Sequence, residues 1–276
     1  MAINKPGAKK PGTSVINWEK QMEEEAQIAA KQEESTSTGN FFGTKAGQLT
    51  WQGEPVKGNE MVCIILDSVL ENVYYQGEYD PSVPQSPTCY AFGRDENLSP
   101  HPKVVEAGDA QHEQCKGCQW NEFGTAEKGK GKACRNTRRL AIIVAGTPIK
   151  GDYQLFDEVD HFETTQIGFM KLPVTSVKAY AAYVKQLSGA LKRPPHGVIT
   201  RISLTPDAKN QFKVEFEAYS NIPNELMAAV MARRQEATAA IEFPYSKIEE
   251  EEAPAKGAKK IVSKAAQRPV ANKRKY

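Results

Sequence analysis

Long apolar runs are missing from this sequence. No segment approaches the roughly 18 apolar residues that a membrane-spanning helix needs. The basic N-terminal stretch MAINKPGAKKPG is not followed by an apolar stretch, so it lacks the pattern of a secretory signal. We therefore expect a cytosolic protein that has no membrane partner.

Cysteine is also scarce. Five cysteines in a cytosolic chain of 276 residues argue against a disulfide framework. Cys63 lies inside the apolar run MVCIIL, which is typical of a cysteine buried in a core. Four cysteines remain, which is the number of ligands in a closed tetrahedral zinc site. They are Cys89, Cys115, Cys118 and Cys134.

The spacing of these four, Cys-x25-Cys-x2-Cys-x15-Cys, indicates a zinc ribbon or an inserted zinc loop, although the first gap is long. His112 is an alternative to Cys89 as the fourth ligand, and His101 is a more distant one. A site of four thiolates has no open position, so we expect a structural Zn²⁺. The alternative is that these cysteines are reduced and bind no metal. A redox Cys-x-x-Cys is disfavoured because Gly-Lys repeats follow it, not an apolar helix.

Composition divides the chain into three parts. Residues 1–40 are predicted to be a flexible arm with a weak helix over 14–34, where helix formers dominate. Residues 41–245 are predicted to form the core domain. Residues 246–276 are predicted to be a disordered charged tail, in which the acidic run Glu249–Glu252 precedes an acid-free basic stretch.

Short β segments dominate the core domain. The predicted strands are GQLTWQG, NEMVCIILDSVLENVYYQGEY, TCYAFGR, the pair RLAIIVAG and DYQLFD, and the hairpin GVITRISLTPDAKNQFKVEFEAY. The predicted helices are PVTSVKAYAAYVKQLSGA and NELMAAVMARRQEATAAIEF. This order favours an α+β fold, with a small barrel or a partly open sheet. Residues 95–137 have little apolar periodicity, so we expect the metal to order a loop at about 89–137.

The net charge of +2 conceals local asymmetry. Between Lys128 and Arg139 the chain carries six basic residues and no acid, and glycines separate the lysines. Aromatic residues lie nearby. Cations together with exposed rings on a β scaffold are typical of proteins that bind single-stranded nucleic acid, because phosphates meet the cations and unpaired bases stack on the rings. On the bland interpretation the rings are core residues and the Lys-Gly run is a solvated loop.

Three segments resemble proteins of tailed bacteriophages and mobile elements that are linked to replication or recombination. They are CKGCQWNEFGTAEKGKGKACRNTRRLAIIV, DSVLENVYYQGEYDP and PTCYAFGRDE. The arrangement is similar in kind to the zinc-containing single-stranded-DNA-binding proteins of phages. The resemblance implies an OB-like small barrel with an inserted zinc loop beside a DNA groove, DNA replication or recombination proteins as partners, and a bacterial host cytosol.

Two departures limit this resemblance. The phage proteins use one histidine and three cysteines at shorter spacings, so their ligand set does not transfer directly. Their C-terminal tails are acidic, whereas here a basic stretch follows Glu249–Glu252. Recruitment of partners through the tail is therefore not carried over.

We expect a sequence-independent single-stranded-DNA-binding protein that is not an enzyme. The predicted phosphate contacts are Lys128, Lys130, Lys132, Arg135, Arg138 and Arg139, with Arg94 and Lys171 as weaker candidates. The predicted base-stacking residues are Tyr74, Tyr75, Tyr90 and Trp120.

Two other functions stay open. The chain is alternatively a zinc-ribbon interaction module that docks a replication or transcription partner. A nuclease would need clustered acids, and FDEVDHFE is the closest approach to such a cluster, with Asp157, Glu158, Asp160, His161 and Glu163. This segment is more typical of a charged loop after a strand.

Overall fold

The computed structural model describes residues 40–44, 47–77, 85–127 and 129–245. The predicted N-terminal helix, the charged tail and Lys128 lie outside the described residues.

The described chain is rich in short strands, apart from four of 10 to 15 residues. The strands are β1 Phe41–Gly43, β2 Thr50–Trp51, β3 Glu54–Pro55, β4 Glu60–Tyr74, β5 Cys89–Gly93, β6 Arg135–Val144, β7 Gly146–Ile149, β8 Asp152–Leu155, β9 Gly168–Leu172, β10 Val198–Asp207 and β11 Gln211–Asn221.

Within the described ranges, nine strands form one sheet, in the order β11-β10-β4-β6-β9-β1-β2-β3, with β5 also paired to β4. Neighbours are antiparallel except for β1 and β9, which are parallel. The sheet is strongly curled into a half-barrel, and β7 and β8 form a separate ribbon. The α+β, β-rich class predicted from the sequence is confirmed.

Strand β4 organises this sheet. Its residues from Met61 to Leu66 are all buried, because both faces of the strand are covered, and such strands read as continuous apolar runs. The register to β6 shifts between Ile65 and Asp67, which makes a β-bulge. A bulge bends a strand and increases its twist. The long strand therefore pairs with β10 at its start and with β5 at its end.

Four α-helices complete the described fold: α1 Pro102–Glu106, α2 Val159–Thr164, α3 Val177–Gln186 and α4 Met227–Ala240. One face of the sheet packs against α2 and α4, through Phe162, Val230 and Ala237. The opposite face packs against α3, through Tyr180 and Tyr183. None of the helices in the described ranges has both the length and the apolarity to cross a bilayer.

Most predicted elements are present, with differences at the edges. The predicted helix PVTSVKAYAAYVKQLSGA is α-helical only to Gln186; a π-turn over Leu187–Leu191 follows, and Lys192 then takes a left-handed conformation. The predicted pairing of RLAIIVAG with DYQLFD is wrong for most of its length. Strand β6 is paired on both edges, by β4 and β9, so β8 pairs instead with β7.

Candidate metal centre and nucleic-acid interface

The four cysteines predicted as ligands line one small cavity of about 20 Å³. Strand pairing explains how they meet. Cys89 starts β5 opposite Tyr74, and Cys134 immediately precedes β6, whose first residue Arg135 lies opposite Val73. Cys89 and Cys134 therefore flank the end of β4, one on each side. The loop between them contributes Cys115 and Cys118 to the same cavity.

The thiols share this cavity without a formed ligand geometry. In the described part of the chain, no group of three or more His, Cys, Asp or Glu side chains is arranged to hold a metal ion. A cavity of this size has room for about one water-sized occupant. All four cysteines that line the cavity are reduced. Cys63 lies apart from them in the core, where burial raises the pKa of its thiol far above the ordinary value.

The electrostatics of the cavity disfavour four free thiolates. Burial, together with the nearby Cys115, Cys89 and Cys118, raises the pKa of Cys134 to about 12. Burial also raises the pKa of Cys89, against a hydrogen bond from the Gln111 backbone that lowers it. Four negative charges placed here need a cation, because like charges in one site repel each other.

A ring of hydrogen bonds holds the loop around the cavity. The backbone N–H of Cys115 donates to Leu98 O at 2.8 Å, and that of Cys134 donates to Trp120 O at 2.8 Å. The Asn121 side chain donates to Cys115 O at 2.8 Å. Leu98 also packs on Ala91 and Cys115 in a small apolar cluster. The loop thus has local order that its weak apolar periodicity did not predict.

The two histidines considered as ligands differ in position. His112 lines the same cavity as the cysteines, but its Nδ1 lies 2.8 Å from Gln114 O and 3.1 Å from Gln114 N. His101 caps α1, where its Nδ1 accepts from the Lys103 N–H, and its ring lies 5.2 Å from the Tyr90 ring. Of the two histidines, only His112 lines the cavity, and the four cysteines line it as well.

The basic loop is exposed where the structure describes it. Lys130 is exposed. Lys132 is half-buried, and its Nζ lies 3.2 Å from Asn121 Oδ1 and 5.0 Å from the centre of the Phe123 ring. Lys128 lies outside the described residues.

The three predicted arginines belong to strand β6 and not to the loop, so Arg138 lies on one face of the strand and the other two lie on the opposite face. Arg135 is exposed, and its guanidinium carbon lies 5.9 Å from the Tyr75 ring centre. Arg138 is half-buried, donates to Ser68 Oγ at 3.1 Å and lies 5.5 Å from the Tyr180 ring centre.

Arg139 does not lie at a surface, which corrects its predicted role as a phosphate contact. Its side chain is fully buried and forms a 2.6 Å ion pair with the equally buried Glu71. It also donates to the backbone oxygens of Ile241 and Phe243, at 3.0 Å each, and lies 4.2 Å from the Phe243 ring centre. An arginine enclosed in this way ties the end of α4 to the sheet, and no phosphate reaches it in this arrangement.

The two weaker cationic candidates are also engaged within the protein. Arg94 donates through both terminal nitrogens to Asp67, at 2.8 and 2.7 Å, although 47% of its side chain is exposed. Lys171 donates to the Tyr245 hydroxyl at 2.9 Å, and burial lowers the pKa of its ammonium. Lys130, Lys132 and Arg135 are the predicted cations nearest to solvent on the loop and its flank.

Three of the four predicted stacking residues pack inside the protein. Tyr74 is buried and stacks on Trp120, with ring centres 5.0 Å apart and planes at 18°. Trp120 also donates to Gln111 Oε1 at 3.0 Å. Tyr90 is buried against Tyr245. Stacking on a base from these positions would require the rings to leave these contacts.

Phe123 lies among the aromatic residues near the basic run but was not one of the predicted stacking residues. Its side chain is 80% exposed, more than any other large hydrophobic side chain in the described ranges. Its position in a Gly-rich, Lys-rich turn was the available signal, because such a turn has little apolar surface to cover a ring.

The acidic segment FDEVDHFE contributes the helix α2, so the loop expected here is wrong. Phe162 is fully buried in the core. His161 Nε2 lies 3.0 Å from Val144 O, and its ring centre lies 3.9 Å from that of Phe156. The one histidine of the segment is therefore held by structural contacts.

Comparison with known proteins gives no relative: no protein-family model matches this chain, and neither a curated protein nor a solved structure does. Function is therefore argued from the geometry described above.

Proposed function

We propose that this protein binds single-stranded DNA without sequence preference, through an OB-like half-barrel whose cysteine loop holds a structural Zn²⁺. The observation that carries the proposal is the place of that loop: it connects the first two strands of an OB-like strand order and presents cations at its surface. The resemblance to phage proteins supports a role in DNA replication or recombination.

The strand order supports the OB-like interpretation. Leaving aside β1 to β3, β5 and the β7–β8 ribbon, the successive strands are β4, β6, β9, β10 and β11, and they lie side by side in the order β11-β10-β4-β6-β9. Numbered along the chain, this order is 5-4-1-2-3, which is compatible with an OB-fold, and α3 lies between the third and fourth strands, as it would in that fold. Strand β1 takes the free edge of β9 by parallel pairing, so the barrel stays open on that side.

The loop between the first two strands is one of the places where OB-folds bind oligonucleotides. Here that loop is residues 75–134, with all four cavity cysteines, Lys130 and Lys132. Arg135 and Arg139 lie on the same face of β6. The part of this face around Arg139 is covered by α4 and Phe243, whereas Arg135, at the start of the strand, is exposed. We therefore propose a DNA path over the cysteine loop and Arg135, and not across the covered part of the face.

The four thiols suit Zn²⁺, because a bound cation would offset the charge of the thiolates in the cavity. Four cysteines on one cavity match the donor set of closed structural sites, and hydrogen bonds from Gln111 and Asn72 already reach Cys89 and Cys115. Bound Zn²⁺ would stabilise thiolates and contribute folding free energy to the loop. We propose Cys89, Cys115, Cys118 and Cys134 as ligands, with His112 as the alternative to Cys89.

The test is fluorescence anisotropy of a labelled oligo-dT strand and a duplex control across a range of salt concentrations. We expect salt-sensitive binding that favours the single strand, with a slope of about 0.7 in log K against log salt for each phosphate contact. The double variant Lys130→Ala/Lys132→Ala should lower that slope by about 1.4. The control Lys150→Ala/Lys192→Ala removes two exposed lysines elsewhere and should leave the slope unchanged.

Metal content is measured on the same preparations. Equal affinity for duplex and single strand, or no binding at low salt, would reject the DNA-binding proposal. Binding that is unchanged after a chelator removes all zinc would separate the metal from the DNA interface.

The second candidate is a docking module for a replication or transcription protein. The exposed Phe123 favours it, because buried aromatic anchors dominate protein–protein interfaces. It predicts protein binding that persists when Lys130 and Lys132 are replaced.

A further inference from the structure

In the described part of the chain, Phe123 belongs to none of the hydrophobic clusters. Its side chain is 80% exposed, whereas the next most exposed large hydrophobic side chain in the described ranges, that of Val105, is 57% exposed. Exposing a phenyl ring to water forgoes the free energy that burial would give. Binding a ligand with an apolar face would bury the ring and recover that free energy.

The backbone beneath the ring is held in a fixed turn. Gly124 N donates to Gly131 O at 2.9 Å, across the base of the loop. The Thr125 hydroxyl donates to Glu122 O at 2.7 Å and accepts from Ala133 N at 3.0 Å. The ring is thus presented by a hydrogen-bonded loop, which lowers the entropy lost on binding.

An ammonium lies against one side of the ring. Lys132 Nζ is 5.0 Å from the ring centre, within the range of a cation–π contact, and Asn121 Oδ1 fixes it at 3.2 Å. The apolar ring and the positive charge therefore form one unit on the loop. A nucleotide has the complementary pair, a flat base and a phosphate.

The charges around this unit are mixed. Lys130 and Arg135 are exposed nearby in the chain, and the acids of the same segment are Glu122 and Glu127, both exposed. These acids reduce the attraction of the loop for phosphate. Removing the charge of Glu122 should therefore strengthen the binding of a phosphate-bearing ligand.

We propose that Phe123 is a base-stacking residue, whose ring takes one unpaired base while Lys132 contacts a phosphate of the same strand. This inference rests on the proposed function and adds a defined contact to it. A duplex keeps its bases stacked on each other, so the contact selects single strands. The ring reads no hydrogen-bonding edge, so the contact tolerates any base.

The experiment compares full-length wild type with Phe123→Ala on oligo-dT and on the same strand with abasic sites in place of the bases. We expect Phe123→Ala to weaken binding to oligo-dT by roughly 5- to 100-fold, the range for loss of one stacked ring. The slope against salt should not change, since no phosphate contact is removed. On the abasic strand the two proteins should bind equally.

Matched variants define the contact further. Phe123→Trp should keep or improve the affinity, because the ring face is retained. Ile149→Ala removes a 52% exposed apolar side chain on β7 and should have no effect. Glu122→Gln should strengthen binding at low salt. Circular dichroism and zinc content verify that each variant is folded like the wild type.

The outcomes separate this inference from the proposal on which it rests. If the wild type binds oligo-dT and Phe123→Ala binds it equally well, the stacking role is overturned and the DNA-binding function stands. If the wild type binds no single strand, both fall. Loss of a replication partner in Phe123→Ala with DNA affinity intact would also overturn the stacking role, and would assign the ring to protein docking.

Discussion

Arg139 Nη2 lies 2.6 Å from Glu71 Oε1, and neither side chain is exposed to solvent. The pair joins β6 to β4, while Arg139 also donates to the backbone oxygens of Ile241 and Phe243, which follow α4. The Tyr245 hydroxyl and Lys171 complete the polar network around Glu71. One buried charge thus connects the sheet to the last described segment of the chain.

Replacing Arg139 by methionine should therefore destabilise the protein. The change leaves the Glu71 carboxylate buried without its partner, and losing one member of a buried pair costs about 3–5 kcal/mol. The measurement is the urea unfolding midpoint. The double variant Arg139→Met/Glu71→Leu should recover much of the loss. A single variant as stable as wild type would contradict this account of the pair.

Loss of one cavity cysteine should remove the metal. We expect Cys118→Ser and Cys134→Ser to lower bound zinc from about one ion per chain to a small fraction, because structural sites need their full set of thiolates. Elemental analysis of purified protein gives the ratio. Cys63→Ala is the control, since Cys63 is buried in the core away from the cavity. Full zinc content in Cys134→Ser would remove Cys134 from the ligand set.

The stack of Trp120 on Tyr74 should fix the cysteine loop without supporting the sheet. In Trp120→Ala we expect faster tryptic cleavage at the loop lysines, Lys130 among them, because the ring contact and the hydrogen bond to Gln111 are both lost. The urea midpoint of the core should change less than for Arg139→Met. Trp120→Phe keeps a ring and should fall between alanine and wild type. Unchanged cleavage in Trp120→Ala would show that other contacts hold the loop.

Asp67 should make stability dependent on acid pH. Burial raises the pKa of its carboxyl, but hydrogen bonds from Arg94 and Thr238 outweigh burial and hold the pKa below the ordinary value. The ionised form therefore stabilises the fold above the unfolded pKa of about 3.9, and this contribution is lost as the pH falls through the lower folded pKa.

We expect the stability difference between wild type and Asp67→Asn to be largest at neutral pH and to shrink as the pH falls below about 4. Urea midpoints at pH 7, 4 and 3 provide the test. A difference that stays constant over this range would assign the role of Asp67 to shape and not to charge.

The sequence predicted the elements that carry strong local patterns. The apolar run from Met61 to Leu66, the β10–β11 hairpin and α4 all lie within their predicted segments. The meeting of four cysteines on one cavity agrees with the spacing argument, while ligation itself stays a prediction.

Prediction from the sequence was weaker where tertiary contacts decide the structure. The three-residue strand β1 has no pattern long enough to reveal a parallel partner. The run Arg135–Arg139 reads as one basic block, yet Arg139 is buried under Ile241 and Phe243, whereas Arg135, on the same face at the start of β6, is exposed. Nothing local to that block indicates that Glu71, which lies 68 residues away, neutralises one of its charges.

The parallel pairing of β1 with β9 also has a consequence for the order of synthesis. Phe41 precedes its partner Phe169 by 128 residues. At translation rates of about 5–20 residues per second, β1 waits about 6–26 s for the strand that it pairs with. Strands β4 and β6 and the cysteine loop between them are synthesised before β9. The pairing at the β9 edge of the sheet therefore forms late, although β1 is synthesised before all these elements.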